Sequence, residues 1–425
     1  MLYQRAIIDE IKPWLKEKET IILNGPRQVG KTSILELLRQ DLLKQGLEKT
    51  IFYLNLEEIN VLGPLNENPE RLLEYIINSD KKNYFLIDEI QYLDNPSNFL
   101  KHLYDKYNQK IKIICTGSSS LELKAKFQDS LAGRKITFNV LPLSFEEFLI
   151  FKKSKIYDYR RQDKVPPKIE GEFRKLLDEF LLYGGMPAVV LKNDVKLKKD
   201  LLSEYTSAYI NKDIRHIGKI DDILKFNQLV KLLSVQIGNL LNVNEISNTL
   251  GLARRKVETY INLLENTFVL IKTNPYYKNI RSQITKMPKF YWFDLGIRNQ
   301  LLSNFSSLDA RTDSGALFEN FIFNELRSAA GKKIFFYRTT NKSEVDFVVE
   351  QDNKVYPLEV KYMEMSKPLK TRALKEFSEQ SKSEKGKLIN LNYNYTRGQV
   401  EYLDFRRFIL SNPAKLVCQR QNLTG

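Results

Sequence analysis

The stretch that decides the fold of this chain is Gly25-Pro26-Arg27-Gln28-Val29-Gly30-Lys31-Thr32, which fits the pattern G-x-x-x-x-G-K-[ST]. The apolar run at 20–24 predicts a buried strand before it, and the pattern from Ser33 onward predicts a helix after it. In that context the loop N–H groups and the helix N-terminus form a phosphate cradle. We therefore predict that residues 25–33 bind ATP, with Lys31 at the β- and γ-phosphates and the Thr32 hydroxyl on Mg²⁺.

A second apolar run, residues 84–87, ends in the carboxylates Asp88 and Glu89, as a Walker B strand does. A buried parallel strand would deliver both to the edge of the sheet that carries the phosphate loop. We expect Asp88 to hold Mg²⁺ through its water shell. Glu89 would orient and polarise the attacking water, which makes ATP hydrolysis the predicted activity.

Two further segments of this region have both a functional and a plain interpretation. A strand at 111–116 leads into Gly117-Ser118-Ser119-Ser120, which could sense the γ-phosphate or form an ordinary β-to-α turn with a serine cap. Arg134 could complete the site, from its own chain or from a neighbour in an oligomer, or could be a surface arginine.

The composition excludes several classes of protein. Only two histidines and two cysteines occur, Cys115 and Cys418, so a histidine-based triad or a disulfide framework is not expected. No long uncharged apolar run and no signal-peptide pattern appear, which predicts a cytoplasmic protein that does not enter a membrane. An amphipathic helix is expected at 1–19 and another at 69–77.

The charge is distributed unevenly along the chain. Residues 1–150 carry 20 Lys/Arg against 21 Asp/Glu, residues 151–300 carry 27 against 16, and residues 301–425 carry 20 against 15. A net charge of −1 is thus followed by +11 and +5. This excess predicts that residues 151–425 contact DNA, although a generally lysine-rich surface would give the same numbers.

Taken together, these motifs resemble the AAA+-type prokaryotic ATPases. The resemblance rests on the phosphate loop, on Asp88-Glu89, on Thr116 to Ser119, on Ala132-Gly133-Arg134 and on the segment 141–148. More narrowly, the chain resembles bacterial and archaeal ATPases whose C-terminal half is a domain of unknown function with a restriction-endonuclease-like core. The resemblance implies an AAA+-type sheet followed by a helical lid, in which Pro187 would lie against the adenine ring or would simply break a helix.

The segment 222–273 resembles a winged helix. Its second predicted helix opens with Arg254-Arg255-Lys256. Cations are unfavourable at a helix N-terminus, so this placement favours an anionic partner such as DNA. An inert packing module is the alternative.

Near the C-terminus two predicted strands flank Asp352-Asn353. A two-residue hairpin turn there places Asp346 opposite Glu359 and Glu344 opposite Lys361. Opposed carboxylates repel unless a cation lies between them. The pattern is similar to the D…(D/E)-x-K core of restriction-endonuclease-like nucleases, which implies Mg²⁺ on Asp346 and Glu359 and a catalytic Lys361.

Two alternatives concern this C-terminal hairpin. A polar hairpin with an ordinary pair between Glu344 and Lys361 would explain the same residues. Glu319, on a helix predicted from 315 to 330, would add a carboxylate, although Glu325 competes for that role.

The predicted fold is therefore α/β, with a P-loop AAA+-like domain at 1–150, a helical lid at 151–220, a winged helix at 221–290 and a small nuclease-like domain at 300–425. The predicted function is ATP hydrolysis that controls a DNA-contacting C-terminal half. The alternative is a nucleotide-dependent signalling switch whose C-terminal half binds a protein.

Overall fold

The computed structural model describes residues 2–77, 81–117, 131–160, 162, 164–214, 218, 220–277, 279–328, 333–339, 343–351, 353–381 and 383–410. The chain divides into two compact units, which are Met1–Pro142 with Asn266–Phe268, and Leu143–Glu265 with Val269–Gly425. No helix in the described part of the chain is long and apolar enough to cross a membrane. The predicted serines Ser118, Ser119 and Ser120 and the second cysteine, Cys418, lie outside the described residues.

The first unit is built on parallel strands joined by helices. Its α-helices are α1 (Ile7–Ile11), α2 (Lys31–Leu43), α3 (Ile59–Glu67) and α4 (Pro96–Tyr107). Its strands are β1 (Thr20–Asn24), β2 (Ile51–Asn55), β3 (Asn83–Asp88), β4 (Ile111–Gly117) and β5 (Lys135–Asn139). Short 3₁₀ turns occupy Lys12–Leu15, Glu48–Thr50, Pro69–Tyr75 and Ile90–Tyr92.

Two of the helices predicted in this unit are shorter or differently placed than expected. The first helix ends at Ile11 and tightens into a 3₁₀ turn that contains Pro13, because proline has no N–H for the helical ladder. Residues 69–77 were predicted as a helix, but Pro69–Tyr75 form a 3₁₀ turn, whereas the α-helix precedes them at Ile59–Glu67. Gly63 and Pro64 within α3 hid it from pattern analysis.

The sheet of the first unit has the strand order β2-β3-β4-β1-β5, and all neighbouring strands are parallel. Because β4 lies between β1 and β3, the carboxyl ends of these three strands stand side by side. Strands β3 and β4 are buried along their whole length, and Cys115 is part of their apolar core, as predicted. This edge is where an α/β sheet presents its ligand site.

The second unit contains helices, a two-stranded hairpin and a mixed sheet. Its helices begin with α5 (Phe145–Phe151), α6 (Pro167–Tyr183), α7 (Pro187–Val190), α8 (Val195–Tyr205), α9 (Ile223–Val235), α10 (Val243–Leu250), α11 (Arg254–Asn266) and α12 (Ile280–Thr285). They continue with α13 (Leu295–Leu301), α14 (Ser314–Ser328), α15 (Arg372–Ser381) and α16 (Phe405–Leu410). A π-helical segment follows α8 at Thr206–Ile214, and 3₁₀ turns lie at Lys155–Tyr159 and Leu308–Ala310.

The strands of this unit belong to two sheets. The hairpin consists of β6 (Leu270–Thr273) and β7 (Lys289–Trp292), which pair antiparallel. The larger sheet consists of β8 (Lys333–Arg338), β9 (Glu344–Gln351), β10 (Lys354–Val360), β11 (Gly386–Asn390), β12 (Tyr395–Arg397) and β13 (Val400–Asp404). Its order is β12-β13-β11-β10-β9-β8, with β10, β11 and β13 parallel and the other pairs antiparallel.

The predicted register of the C-terminal hairpin is confirmed for residues 347–351 and 354–358, whereas the predicted pairs of Asp346 with Glu359 and of Glu344 with Lys361 lie beyond the paired residues. Gln351 pairs with Lys354, and Phe347 pairs with Leu358. Asn353 adopts a left-handed φ of 60°, which a two-residue hairpin turn requires. Its neighbour Asp352 lies outside the described residues.

Candidate active site

The phosphate loop joins β1 to α2 in the conformation that the sequence pattern predicts. Gly30 has a φ of 93° and is the N-cap of α2, a position that a side chain would strain. Lys31 is 5% exposed, and its Nζ donates to the carbonyls of Gly25 at 3.0 Å and Pro26 at 2.7 Å. Burial lowers the pKa of Lys31 to about 8, against the opposing charges of Glu89 and Asp88.

The loop is braced from outside by residues that the sequence analysis did not single out. A Cβ on Gly25 would lie 2.2 Å from the carbonyl oxygen of Val140, so only glycine fits there. The buried guanidinium of Arg5 donates to the carbonyl of Val29 at 2.9 Å and to that of Leu141 at 2.8 Å. Arg5 thereby links the loop to the segment that follows β5.

Asp88 lies at the carboxyl end of β3 and accepts hydrogen bonds from three hydroxyl groups. Thr32 Oγ1 donates to Oδ2 at 2.8 Å, and the hydroxyl of Tyr53 donates to the same oxygen at 2.9 Å. Thr116 Oγ1 donates to Oδ1. The sequence analysis missed Tyr53 because the sequence of β2 is that of an ordinary strand. The phenol reaches Asp88 only because β2 pairs with β3.

Glu89 is held in an unusual backbone conformation directly after Asp88. Its φ of 58° is left-handed, which is uncommon for a residue other than glycine and is typical of functional sites. The N–H of Glu89 donates to Thr116 Oγ1 at 2.9 Å, and Gln91 Nε2 donates to its carboxylate. Thr116, at the end of the predicted sensing strand, therefore contacts both carboxylate residues.

This set of residues fits ATP and Mg²⁺. Thr32 and Asp88 present a hydroxyl and a carboxylate oxygen 2.8 Å apart, and Mg²⁺ prefers such hard oxygen donors. The hydroxyls of Thr32, Tyr53 and Thr116 carry no charge, so these three groups would not repel a cation bound at Asp88.

The other residues predicted for this site are Arg27, Gln28, Ser33, Arg134 and Pro187. The first three are exposed, on the loop and at the start of α2. Arg134 pairs with Asp105 of α4, at 2.6 Å between Nε and Oδ1. Pro187 is the first residue of α7, in the second unit. Their roles at the nucleotide stay predictions.

In the second unit, the predicted nuclease-like residues Asp346, Glu359 and Lys361 lie where β9 and β10 separate. The pairing of β9 with β10 ends at Phe347 and Leu358. Past this pair, the N–H of Val360 donates to Asp346 Oδ2 at 2.8 Å. Lys361 Nζ pairs with Glu359 Oε1 at 3.0 Å. In place of the alternative pair between Glu344 and Lys361, the carboxylate of Glu344 contacts Lys289 and Arg338.

The residue that sequence analysis missed here is Lys289, at the start of β7. Its Nζ lies 2.5 Å from Glu344 Oε1 and 3.1 Å from Glu319 Oε1, and its side chain is 4% exposed. The hydroxyl of Tyr291 also donates to Glu319 Oε1, at 2.6 Å. The signal in the sequence was a lysine directly before the apolar run Phe290-Tyr291-Trp292, because a buried lysine needs an acidic partner.

We call the three carboxylates Glu319, Glu344 and Asp346 the acidic cluster. Each of them interacts electrostatically with the ammonium of Lys289. Burial alone would lower the pKa of Lys289, but the acidic cluster outweighs burial and raises it. Burial and Glu319 raise the pKa of Asp346, while Lys289 and Lys361 oppose this shift. Glu325, the competing helix residue, lies apart and accepts from the N–H of Phe145 at 2.8 Å.

These residues do not fit a Mg²⁺ ion as they stand. In the described residues no group of three or more Asp, Glu, His or Cys side chains could hold a metal. The ammonium of Lys289 lies between two of the carboxylates of the acidic cluster. Glu359 Oε2 is buried without a hydrogen-bond partner, and one such oxygen does not make a metal site.

The segment with a predicted winged helix contains α9, α10 and α11 followed by the β6–β7 hairpin. Asn242 caps α10 through the N–H of Glu245, and Gly251 ends that helix in the left-handed conformation. Of the three cations that open α11, Arg254 pairs with Glu258 and Lys256 pairs with Asp221, both at 2.9 Å. These two cations already have acidic partners, which leaves Arg255 as the exposed candidate for an external anion.

Comparison with protein families gives three matches along the chain. Residues 17–149 match the model described as AAA domain. Residues 174–308 match a domain of unknown function, DUF8612, and residues 314–407 match another, DUF4143.

The chain is also similar to two proteins that are described only as uncharacterized. One, from Haemophilus influenzae, is 28% identical over 80% of this chain and 82% of its own length. The other, MJ1544 of Methanocaldococcus jannaschii, is 27% identical over 87% of this chain and 80% of its own length.

Among solved structures, the chain is distantly similar to the Walker-type ATPase PABY2304 of Pyrococcus abyssi and to the Orc1 protein of Aeropyrum pernix in complex with DNA. The first has a TM-score of 0.44 and 13% identity, over 71% of this chain and 96% of the other. The second has a TM-score of 0.31 and 15% identity, over 72% and 93%. The first family match agrees with the parallel sheet and the phosphate loop, so residues 17–149 form a P-loop domain that is similar to AAA domains, followed by two regions that match families of unknown function.

Proposed function

We propose that the chain binds ATP with Mg²⁺ and hydrolyses it at the site formed by the phosphate loop and Asp88-Glu89. The observation that carries this proposal is the hydrogen bond of 2.8 Å between Thr32 Oγ1 and Asp88 Oδ2. It joins two motifs that are 56 residues apart in the sequence. A shared Mg²⁺ site between these two residues is the arrangement that P-loop ATPases use.

Each residue of this site has a distinct task. Lys31, released from the carbonyls of Gly25 and Pro26, would bind the β- and γ-phosphates. Thr32 and Asp88 would hold Mg²⁺, which neutralises phosphate charge when it is bound. Glu89, fixed by Thr116 and Gln91, would orient the attacking water and accept its proton.

The test is ATP binding and phosphate release in Lys31→Ala. We expect loss of ATP binding, because the substitution removes the cation at the phosphates. Lys44→Ala is the matched control, since Lys44 lies just beyond the C-terminal end of the same helix and is largely exposed. Unchanged ATP affinity in Lys31→Ala would contradict the proposed site.

We further propose that the nucleotide state controls a C-terminal half that contacts DNA. The support is the excess of 27 Lys/Arg over 16 Asp/Glu in residues 151–300 and of 20 over 15 in residues 301–425. A basic surface of this kind attracts the phosphate backbone. The exposed Arg255 on α11 is the residue that we assign to this contact within the segment proposed to be a winged helix.

This second proposal is tested by the fluorescence anisotropy of labelled duplex DNA across a salt series, with ATP or ADP. We expect an affinity that falls steeply with salt and differs between the two nucleotides. Arg255→Ala should lower the salt slope by about one unit. Salt-independent or absent binding would instead favour the alternative, a nucleotide-dependent switch that binds a protein.

For the C-terminal domain we propose the restriction-endonuclease-like core as a fold. The mixed six-stranded sheet, with Asp346 and Glu359 at the separation of β9 and β10, supports it. Cleavage of DNA would require a divalent cation on these carboxylates, and the present arrangement does not fit one. We therefore do not include a cleavage step in the proposed function.

A further inference from the structure

The acidic cluster already has a cation, and this cation belongs to the chain. Lys289 Nζ lies within 3.1 Å of carboxylate oxygens from Glu319 and Glu344. The side chain is 4% exposed, so water does not compensate the charge. A buried ammonium among carboxylates is retained only with such partners.

The position of Lys289 is fixed by the fold. Lys289 belongs to β7, where it pairs with Thr273 of β6 and forms a bridge with Leu240. Two residues further, the ring of Tyr291 stacks on Phe323 with centroids 4.3 Å apart, and its hydroxyl donates to Glu319. The strand therefore holds the ammonium against the acidic cluster.

The charges around the cluster are close to balanced as long as Lys289 is present. The carboxylates are Glu319, Glu344, Asp346 and Glu359, and the cations paired with them are Lys289, Arg338 and Lys361. One negative charge is left over in this set. Without Lys289 two would be left over, which is the charge that one divalent cation neutralises.

The lysine and the carboxylates come from different parts of the chain. Lys289 lies in the region that matches DUF8612, whereas Glu319, Glu344 and Asp346 lie in the region that matches DUF4143. Neither region by itself contains the complete centre. The hairpin of the first region thus supplies the positive charge for the carboxylates of the second.

We propose that the ammonium of Lys289 takes the place of a divalent cation in the acidic cluster, so that the C-terminal domain has a nuclease-like fold without a metal centre. The ammonium neutralises Glu319 and Glu344 and faces Asp346. It carries no water that could be activated for attack on a phosphodiester. This inference is independent of ATP hydrolysis in the first unit.

The test counts bound Mn²⁺, a paramagnetic substitute for Mg²⁺, by electron paramagnetic resonance on the full-length chain without nucleotide. Asp88→Asn removes the carboxylate of the ATP site and gives a background in which only the second unit could bind. We expect no bound Mn²⁺ that depends on Asp346 in this background. Mn²⁺ that is bound here and lost on adding Asp346→Asn would overturn the proposal.

The second arm removes the lysine. In the same background, Lys289→Ala should gain one Mn²⁺ site, and adding Asp346→Asn should remove it again. Lys272→Ala is the matched control, because Lys272 lies on β6 of the same hairpin and pairs with Glu265 instead. A folded Lys289→Ala protein without a gained site would also overturn the proposal. If this variant does not fold, the first arm decides.

Discussion

Two carboxylate centres in this molecule differ in what surrounds them. In the first unit Asp88 accepts hydrogen bonds from the hydroxyls of Thr32, Tyr53 and Thr116, all neutral donors. In the second unit the acidic cluster faces the ammonium of Lys289, which is almost fully buried. Asp88 was predicted to hold Mg²⁺ in the first unit, and Asp346 of the acidic cluster was predicted to hold it together with Glu359 in the second.

We propose that this difference in hydrogen-bond and ion-pair partners decides which centre accepts a metal. A neutral hydroxyl can rotate away from Asp88, or itself become a ligand, when a cation arrives. A buried lysine cannot leave its carboxylates without carrying an unpaired charge into an apolar site, which is costly. The proposal therefore rests on the partners of each carboxylate, which are hydroxyls at Asp88 and an ammonium at the acidic cluster.

The largest expected effect concerns Glu89, which distinguishes chemistry from binding at the first centre. Glu89→Gln should lower ATP hydrolysis by about 10²–10⁴-fold, because the amide cannot accept the proton of the attacking water. ATP binding should stay within about twofold, since the phosphate contacts remain. Steady-state phosphate release and nucleotide titration measure the two quantities. Glu36→Gln, on α2, is the control, and equal losses in both variants would exclude the proposed role.

The second prediction tests how strongly Lys289 stabilises the acidic cluster. Lys289→Met should lower the free energy of unfolding by about 3–5 kcal/mol, because it leaves buried carboxylates without their cation. The double variant Lys289→Met/Glu319→Gln should lose less than the sum of the two single variants. Urea unfolding measures both. Additive losses would mean that the two side chains do not stabilise each other.

A third carboxyl group, that of Glu325, is buried and accepts a hydrogen bond from the backbone N–H of Phe145. No cation is among the groups that shift its pKa. Burial raises its pKa from 4.5 to about 8. Between these pH values the folded chain holds a proton that the unfolded chain has lost, so stability falls as the pH rises. In Glu325→Gln the stability should depend less on pH. The difference from the wild-type chain, measured in thermal melts from pH 5 to 8, should be of the order of a few kcal/mol. An unchanged pH profile would contradict the buried protonated state.

The smallest expected effect concerns Tyr53, one of the hydroxyl donors at Asp88. Tyr53→Phe should lower the Mg²⁺ concentration for half-maximal ATP hydrolysis by about two- to fivefold, since one competing hydrogen bond of about 1 kcal/mol is removed. Tyr75→Phe in the same unit is the control. A higher Mg²⁺ requirement would show instead that the phenol positions Asp88 for the ion.

The sequence predicted those parts of the fold and site that depend on local pattern. The phosphate loop, the strand that carries Asp88, and the register of the β9–β10 hairpin follow from residue types at short spacing. The contacts of Arg5, Tyr53 and Lys289 depend on which strands become neighbours, which no local pattern fixes. The helix predicted at 1–19 was too long because Pro13 ends it early, and the helix predicted at 69–77 was misplaced because Gly63 and Pro64 concealed the α-helix that precedes it.

The contrast between the two carboxylate centres is tested most directly by a count of Mn²⁺ bound per chain in the presence of a non-hydrolysable ATP analogue. We expect a single bound Mn²⁺ in the wild-type chain, lost in Asp88→Asn and retained in Asp346→Asn. A second Mn²⁺ that disappears in Asp346→Asn, or a bound Mn²⁺ that survives Asp88→Asn, would contradict this expectation.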